Sequence, residues 1–335
     1  MVKALALFSG GLDSALAVKI VLDQGVQVEA LYFVNAFLPA RHNTEMGRRA
    51  GQLGAKLHVL DISQPHLELV RSPRYGYGGN MNPCIDCRIF MLKEAKAYMQ
   101  SHRFHFLISG EVLGQRPMSQ RKDTLNIIER DAGVKGLLLR PLSAKKLAPT
   151  LAEEKGWVDR DKLFDFSGRS RKPQLALSKK LGIKEYLAPA GGCLLTEVEF
   201  ARKLRDLIAS GKLDLDGVRL LKAGRHFRLK SLARIIVGRN EEENKYLLGL
   251  ACDADILFKM RDFAGPLTLA RPVRVETSEE FATLVETAAR LTARYSKGKD
   301  RESAWVDYWP KDAEDEKKSV LVTPAGEGLI EELRI

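Results

Sequence analysis

The chain has 335 residues, and its 54 Lys and Arg against 43 Asp and Glu give a formal net charge of +11. This length accommodates two domains, and the basic excess favours a polyanionic partner such as nucleic acid. No apolar stretch approaches the ~18 residues of a membrane span, and no basic leader precedes the first apolar run. We therefore expect a cytoplasmic protein without membrane association.

A glycine-rich loop over residues 9–14, Ser-Gly-Gly-Leu-Asp-Ser, separates an apolar strand predicted over 2–8 from an amphipathic helix that ends near Gly25. The glycines let the backbone approach a ligand closely, and the free N–H groups at a helix start favour an anion. Asp13 would repel a phosphate unless Mg²⁺ lay between them. The loop therefore predicts a pyrophosphate bridged by a metal to Asp13.

This loop lacks both the Walker A pattern and the dinucleotide fingerprint. It resembles instead the signature of the PP-loop ATP pyrophosphatases, which cleave ATP to AMP and pyrophosphate while adenylating a substrate. The resemblance implies ATP binding by Ser9, Gly10, Gly11, Asp13 and Ser14. The alternative is a simple Gly-Gly turn capped by serine before a helix.

Further strands are predicted over 26–33, 57–60, 104–109 and 137–141, with helices between them, one of them over 44–53. Strands that alternate with helices predict a parallel α/β sheet with helices on both faces. Ligands bind beyond the carboxyl ends of such strands, where the glycine-rich loop lies. We include Phe33, at the end of the second strand, among the predicted ATP-binding residues.

Cys84 and Cys87 form a CxxC pair at the predicted start of a helix. Helix N–H groups and the helix dipole favour thiolate over thiol there, and Arg88 adds a positive neighbour. The pair is therefore predicted to be reactive or to bind a metal. Asp86, between the two cysteines, has either a polar role near the substrate or an ordinary surface position.

Cys193 lies at a second junction between a loop and a helix, after Gly191 and Gly192. We group it with the CxxC pair as a third site cysteine. The alternative for all three thiols is structural packing. Cys252 lies in an apolar run, so we expect it to be a buried small hydrophobe.

The segment 110–120 follows the strand predicted over 104–109 and is rich in Glu, Gln and Ser. It is similar to the Gly-Glu-x-Leu-Gly-Gln-x-x-Ser-Gln segment of the tRNA 4-thiouridine synthetases, a PP-loop family. The gap before Ser119 and Gln120 is one residue longer here. The resemblance implies ATP contacts from Gly110, Glu111 and Gln115, whereas a polar surface loop is the alternative.

Basic residues predict the RNA contacts. Arg169, Arg171 and Lys172 lie in a loop suited to phosphates, with a solvated face as the alternative. From residue 218 the pattern changes and resembles the RNA-associated NFACT-R domain. The polar stretch 210–217 predicts a boundary between a PP-loop domain, 1–210, and a smaller basic α+β domain, 211–335. Further RNA contacts are predicted from Arg225, Arg228 and Lys230.

Replacement of a uridine carbonyl oxygen by sulfur requires an activated oxygen and a sulfur nucleophile. ATP supplies the activation by adenylation, with pyrophosphate departing under Mg²⁺ stabilisation. The sulfur step has two routes: a cysteine persulfide with a resolving cysteine, or a [4Fe-4S] cluster on Cys84, Cys87 and Cys193 with one iron open. We favour the cluster, because some PP-loop tRNA thiolases have a similar cysteine set. Zinc with an open site is the remaining metal option.

The sequence therefore predicts an ATP-dependent tRNA sulfurtransferase whose sulfur donor is sulfide or a persulfide carrier. Typical 4-thiouridine synthetases have an RNA-binding extension before this loop, whereas the loop begins at residue 9 here. We therefore expect the C-terminal domain to dock tRNA. A homodimer is compatible with the sequence. The alternatives are an adenylating ligase for a small carboxylate and a non-enzymatic RNA-binding or iron-sulfur protein.

Overall fold

The computed structural model describes residues 1–38, 45–187 and 193–335. The chain divides into the compact units Met1–Val198 and Glu199–Ile335. The boundary predicted from the sequence, near residue 210, lies at the other end of the helix that begins at Val198. The Gly191-Gly192 turn lies outside the described residues. Within the described ranges, no helix combines the length and the apolar character that a membrane crossing requires.

Strands and helices alternate along the first unit, as its sequence pattern predicts. In order, they are β1 (Lys3–Leu7), α1 (Leu12–Leu22), β2 (Gln27–Val34), α2 (Met46–Gln52), β3 (Lys56–Asp61), α3 (Ser63–Arg71), α4 (Cys84–Ser101), β4 (Phe106–Ser109), α5 (Lys122–Ala132), β5 (Leu138–Leu139), α6 (Leu151–Glu154) and α7 (Lys172–Lys180). The strands pair in parallel in the order β3-β2-β1-β4-β5. The predicted parallel α/β sheet is confirmed.

The central strand β1 is buried on both faces because its side chains alternate between two apolar cores. Ala4 and Ala6 belong to the core that includes α1. Leu5 and Leu7 belong to the core that includes α4 and α5. Helices therefore cover both faces, and the chain leaves β1 at the carboxyl edge of the sheet, where residues 9–14 form the loop.

The second unit is built on an antiparallel sheet. Its elements are α8 (Val198–Ala209), α9 (Leu215–Leu220), β6 (Arg225–Leu229), β7 (Ala233–Val237), α10 (Glu241–Leu250), β8 (Ile256–Met260), β9 (Thr268–Pro272), α11 (Ser278–Arg294), β10 (Ala304–Pro310), β11 (Lys318–Val322) and α12 (Glu327–Leu333). The strand order is β11-β10-β8-β9-β7-β6. A capping box between Thr277 and Glu280 begins α11, whose apolar face packs in the core of this sheet. The predicted α+β architecture is confirmed.

Candidate nucleotide and thiol site

The glycine-rich loop has the geometry of an anion site. Gly10 has φ +71°, which favours glycine, and Gly11 is the N-cap of α1. Because Gly11 has no side chain, it offers the first-turn N–H groups no capping oxygen of its own. Ser14 closes the loop: its Oγ donates to the Gly11 carbonyl at 2.9 Å and lies 3.3 Å from the Ser9 backbone nitrogen. The first turn of α1 therefore presents backbone donors suited to a phosphate.

Gly110 is required by close packing against this loop. A Cβ at Gly110 would lie 2.5 Å from the Asp13 carbonyl carbon and 2.6 Å from the Ser14 nitrogen, both backbone atoms. Residue 110 therefore supports the loop through its missing side chain, in addition to any contact with ATP that the sequence predicts.

A Gly110→Ala variant is expected to lose ~1–3 kcal/mol of unfolding free energy by overpacking and to weaken nucleotide binding, because the first turn of α1 must shift. Urea unfolding and nucleotide titration would measure both effects. Gly47→Ala in α2 is the matched control, since no atom of the described chain lies within 4 Å of its added Cβ. Equal stability of the Gly110→Ala and wild-type chains would contradict the packing argument.

Asp13 is the centre of a polar network at the loop. Its Oδ2 accepts a hydrogen bond from Gln115 Nε2 at 2.8 Å and one from an Arg171 guanidinium nitrogen at 3.2 Å. Its Oδ1 is buried and has no hydrogen-bond partner among the described residues. A buried carboxylate oxygen without a partner is unfavourable unless a cation or donor meets it. The predicted Mg²⁺ fits this oxygen, and Asp13 would hold it.

Glu111 lies in a buried ion-pair network. Its carboxylate contacts Arg88 Nε at 2.9 Å and Arg140 Nε at 3.0 Å. Burial alone would raise the pKa of Glu111, but these two guanidinium groups bring it below its ordinary value. Arg88 follows the CxxC pair on α4, so the network fixes this helix to the segment after β4. The charge of Arg88 is thereby largely engaged by Glu111.

The predicted site cysteines influence one another electrostatically. Burial, followed by the negative charge that Cys193 would carry, raises the pKa of Cys87 to about 12. Burial also raises the pKa of Cys193 to about 11, with a smaller contribution from Cys84. The expectation that the helix start favours a thiolate is therefore wrong for Cys87, because desolvation outweighs the helix dipole.

His66 on α3 is a neighbour of Cys87 that sequence reasoning missed. Its Nε2 lies 3.3 Å from the Cys87 sulfur, and the residue is 1% exposed. Burial lowers the pKa of His66 to about 4, so the imidazole is neutral at pH 7 and the thiol can donate to it. A lone histidine 21 residues before Cys87 carries no local signal of this contact.

The segment after Cys193 is held close to the CxxC helix. The Leu194 N–H donates to the Phe37 carbonyl at 3.1 Å, and the Met81 N–H donates to the Leu195 carbonyl at 3.1 Å. Met81 lies in the stretch that leads into α4. These bonds explain how a cysteine distant in sequence comes within electrostatic range of Cys84 and Cys87.

The segment 110–120 reaches both groups of residues. Gln115 contacts Asp13, while the adjacent Arg116 is near enough to lower the pKa of Cys193. Met118 packs so tightly on Gly78 that a Cβ there would lie 1.9 Å from its sulfur. The surface-loop alternative is wrong, since Ser119 and Gln120 are buried. One segment therefore joins the predicted nucleotide loop to the predicted thiol site.

Within the described residues, no group of three or more His, Cys, Asp or Glu side chains is arranged to hold a single metal ion. Zinc and the iron-sulfur cluster therefore both stay predictions. The three site cysteines interact electrostatically, and thiols are the ligand type of iron-sulfur clusters.

Asp86 is buried and anchors the stretch before the CxxC pair. Its two carboxylate oxygens accept from the Arg74 and Tyr75 N–H groups, each at 3.0 Å. The surface alternative is therefore wrong for this residue. The role of Asp86 near the substrate stays a prediction.

The side chain of Phe33 is packed in the core of the first unit. Its contact with ATP also stays a prediction.

The residues predicted to bind RNA differ in their surroundings. Arg169, Lys172 and Lys230 are exposed. The Arg225 guanidinium lies 4.5 Å from the centroid of the Tyr295 ring, and Arg228 forms a bidentate pair with Asp206. These assignments stay predictions. Cys252 is exposed, contrary to the expectation of a buried hydrophobe.

Alkylation tests the thiol environments. At pH 8, iodoacetamide is expected to label the exposed Cys252 well before Cys87, because about one Cys87 thiol in 10,000 is ionised when its pKa is about 12. Raising the pH to 10 should increase the Cys87 rate about 100-fold, since its thiolate fraction rises tenfold per pH unit. Peptide mass spectrometry of the metal-free protein measures both rates. Equal labelling of Cys87 and Cys252 at pH 8 would refute the assignment.

Two family models match this chain. Residues 1–148 match the family model of the thiamine biosynthesis protein ThiI. Residues 224–334 match the model of the NFACT protein RNA binding domain. Both resemblances inferred from the sequence, to PP-loop tRNA thiolation enzymes and to NFACT-R, are confirmed.

Curated relatives match less than half of the chain. A probable tRNA sulfurtransferase of Thermoanaerobacter sp. (strain X514) is 31% identical over 148 residues, 42% of this chain and 36% of the relative. A tRNA-specific 2-thiouridylase MnmA of Campylobacter curvus is 33% identical over 95 residues, 27% of this chain and 28% of the relative. The chain thus spans about a third of the length of these relatives.

Among solved structures, a 4-thiouridine synthetase–RNA complex with bound ATP aligns with 20% identity and a TM-score of 0.39. The alignment covers 64% of this chain and 52% of that chain.

Proposed function

We propose that this protein is an ATP-dependent tRNA sulfurtransferase that replaces a uridine carbonyl oxygen with sulfur. The observation that carries the proposal is the pair of adjacent residues Gln115 and Arg116. Gln115 donates a hydrogen bond to Asp13 of the glycine-rich loop. The positive charge of Arg116 lowers the pKa of Cys193 and so offsets part of the rise that burial causes. Activation by a nucleotide and attack by sulfur must occur at one carbon atom, so both sets of residues must serve one site.

The loop supports the adenylation half of the reaction. The uridine oxygen attacks the α-phosphorus of ATP, and pyrophosphate leaves. First-turn N–H groups of α1 would bind the phosphate oxygens, and Mg²⁺ held by Asp13 would neutralise charge on the leaving pyrophosphate. The adenylated oxygen then leaves as part of AMP when sulfur attacks the carbon.

Cys84, Cys87 and Cys193 support the sulfur half. They would hold a [4Fe-4S] cluster, which supplies an iron site for a hydrosulfide; in the alternative route, one of them carries a persulfide sulfur and another resolves the product as a disulfide. His66, whose Nε2 lies 3.3 Å from the Cys87 sulfur, would orient this thiol. Sulfide would supply the hydrosulfide in the cluster route, and a persulfide carrier would transfer its outer sulfur to the cysteine in the persulfide route.

The second unit is proposed to dock tRNA in the cytoplasm, which is supported by its match to an RNA-binding family and by the net charge of +11. Arg225, Arg228 and Lys230 would contribute there, with Arg169 and Lys172 on the first unit.

The decisive experiment purifies the protein without oxygen, assays iron and sulfide, and then supplies ATP, Mg²⁺, sulfide and unmodified tRNA. Pyrophosphate release together with a thiolated nucleoside would establish the proposed function. A protein without iron that thiolates tRNA only when a persulfide carrier replaces sulfide would select the persulfide route.

The rival functions give different results in the same experiment. An adenylating ligase would release pyrophosphate with a small carboxylate and keep full turnover when the three cysteines are changed to alanine. A non-enzymatic RNA-binding protein would release no pyrophosphate with any tRNA. Either result would refute the sulfurtransferase proposal.

A further inference from the structure

Arg171 stands apart from its basic neighbours. The residues beside it, Ser170 and Lys172, are exposed, whereas the Arg171 side chain is 30% exposed and forms an ion pair with Asp13 at 3.2 Å. The two residues are 158 positions apart in the sequence. The contact therefore brings the start of α7 to the first turn of α1, at the glycine-rich loop.

A chain of amide hydrogen bonds strengthens this connection. Gln174, in the first turns of α7 and fully buried, donates from Nε2 to Gln115 Oε1 at 3.0 Å. Gln115 in turn donates from its own Nε2 to Asp13 Oδ2 at 2.8 Å. Each amide is therefore oriented by the next one, and Asp13 Oδ2 receives two donors, one from the amide chain and one from Arg171.

Two buried oxygen atoms at this place lack partners in the described chain: Asp13 Oδ1 and Gln174 Oε1. Both are acceptors, and both belong to side chains that are otherwise fixed by hydrogen bonds. A buried acceptor without a donor is costly, so these atoms indicate a missing cation or donor. In the structure, Arg171 forms an ion pair with Asp13, the same carboxylate that would hold the predicted Mg²⁺.

We propose that Arg171 belongs to the nucleotide site, where it neutralises Asp13 in the empty protein and moves to a polyphosphate oxygen of ATP when Asp13 receives Mg²⁺. This inference rests on the ATP dependence in the proposed function. Two cations on one carboxylate repel each other, so Mg²⁺ that arrives at the unpartnered Oδ1 weakens the ion pair at Oδ2 and releases the guanidinium. A polyphosphate supplies the anionic, bidentate acceptor that a guanidinium prefers. The sequence-based assignment of Arg171 to RNA is replaced by this role.

The exchange predicts two shifts of opposite sign. In an Arg171→Ala variant, a divalent cation alone should bind Asp13 more tightly, because its competitor is gone. The same variant should bind an ATP analogue with Mg²⁺ about 10 to 100 times more weakly, because a phosphate contact is lost. A residue that only supported the fold would move both affinities in the same direction or neither.

The test uses the full chain without tRNA. Mn²⁺ binding is followed by electron paramagnetic resonance, and binding of α,β-methylene ATP with Mg²⁺ is followed by calorimetry. Lys179→Ala, an exposed residue on α7, is the control that should match the wild type. Arg171→Lys keeps the charge and should recover part of the analogue affinity; it also replaces the alanine variant if that one fails to fold.

Opposite shifts, with partial recovery by lysine, would establish the exchange. Unchanged analogue affinity in Arg171→Ala, or weaker binding of both ligands, would overturn the inference while leaving the proposed function intact. If the wild-type chain itself fails to bind the analogue, the nucleotide half of the proposed function is refuted, and this inference falls with it.

Discussion

A Cys193→Ser variant is expected to thiolate tRNA about 1,000-fold more slowly than the wild type while still releasing pyrophosphate. Serine keeps the size and the neighbouring backbone bonds of Leu194 and Leu195 but cannot carry a persulfide or serve as a soft ligand of iron. The adenylation residues around Asp13 are untouched by this change. Thiolated nucleoside measured by mass spectrometry and pyrophosphate measured by a coupled assay separate the two half-reactions.

Cys252→Ser is the matched control for this variant, because Cys252 is exposed and lies in the second unit. It should retain the wild-type rate. Thiolation by Cys193→Ser at the wild-type rate would exclude this thiol from the reaction. The iron content of the Cys193→Ser variant distinguishes the sulfur routes. Less iron than in the wild type indicates that Cys193 is a cluster ligand. If neither the wild type nor the variant contains iron, Cys193 carries a persulfide.

An Asp13→Asn variant is expected to release pyrophosphate about 1,000-fold more slowly, because the amide lacks the charge that would hold Mg²⁺. The fold should tolerate this change. An acidic residue in the first turn of a helix contributes only about 0.3–1 kcal/mol through the helix dipole, and the variant also relieves the buried, unpartnered charge at Oδ1. Binding of tRNA should not change.

Asp23→Asn provides the comparison on the same helix, since Asp23 is the C-cap of α1 and pairs with Lys19. Steady-state pyrophosphate release at several Mg²⁺ concentrations would measure both variants. If Asp13→Asn keeps the wild-type rate at low Mg²⁺, Asp13 does not hold the metal.

Local patterns in the sequence predicted the parallel sheet and the position of the glycine-rich loop. The apolar run of β1, two glycines and a helix start at Leu12 are adjacent in the chain, so their signals do not depend on distant contacts. The helix start at Cys84 could be recognised for the same reason. The order of the strands agrees with the general rules for alternating strands and helices.

Side-chain environments could not be predicted in this way, because they depend on partners far along the chain. The basic run around Arg171 suggested RNA, but its partner Asp13 is 158 positions away. Asp86 accepts hydrogen bonds from the backbone N–H groups of Arg74 and Tyr75, and the spacing of these residues in the sequence does not predict this contact. The helix dipole at Cys87 was a correct local argument, yet desolvation by the surrounding residues is the larger effect on its pKa.

The segment 110–120 fixes the spacing between the residues that contact the glycine-rich loop and those near the thiols. Gln115 contacts Asp13, whereas the charge of the adjacent Arg116 affects the pKa of Cys193. Met118 packs on Gly78 and holds the segment in place, so the spacing of these residues along the backbone decides which group each one serves. A Met118→Gly variant would remove the side chain that packs on Gly78 and would loosen the placement of this segment. The coordination that we propose between nucleotide cleavage and sulfur delivery would then weaken even though Gln115 and Arg116 remained present.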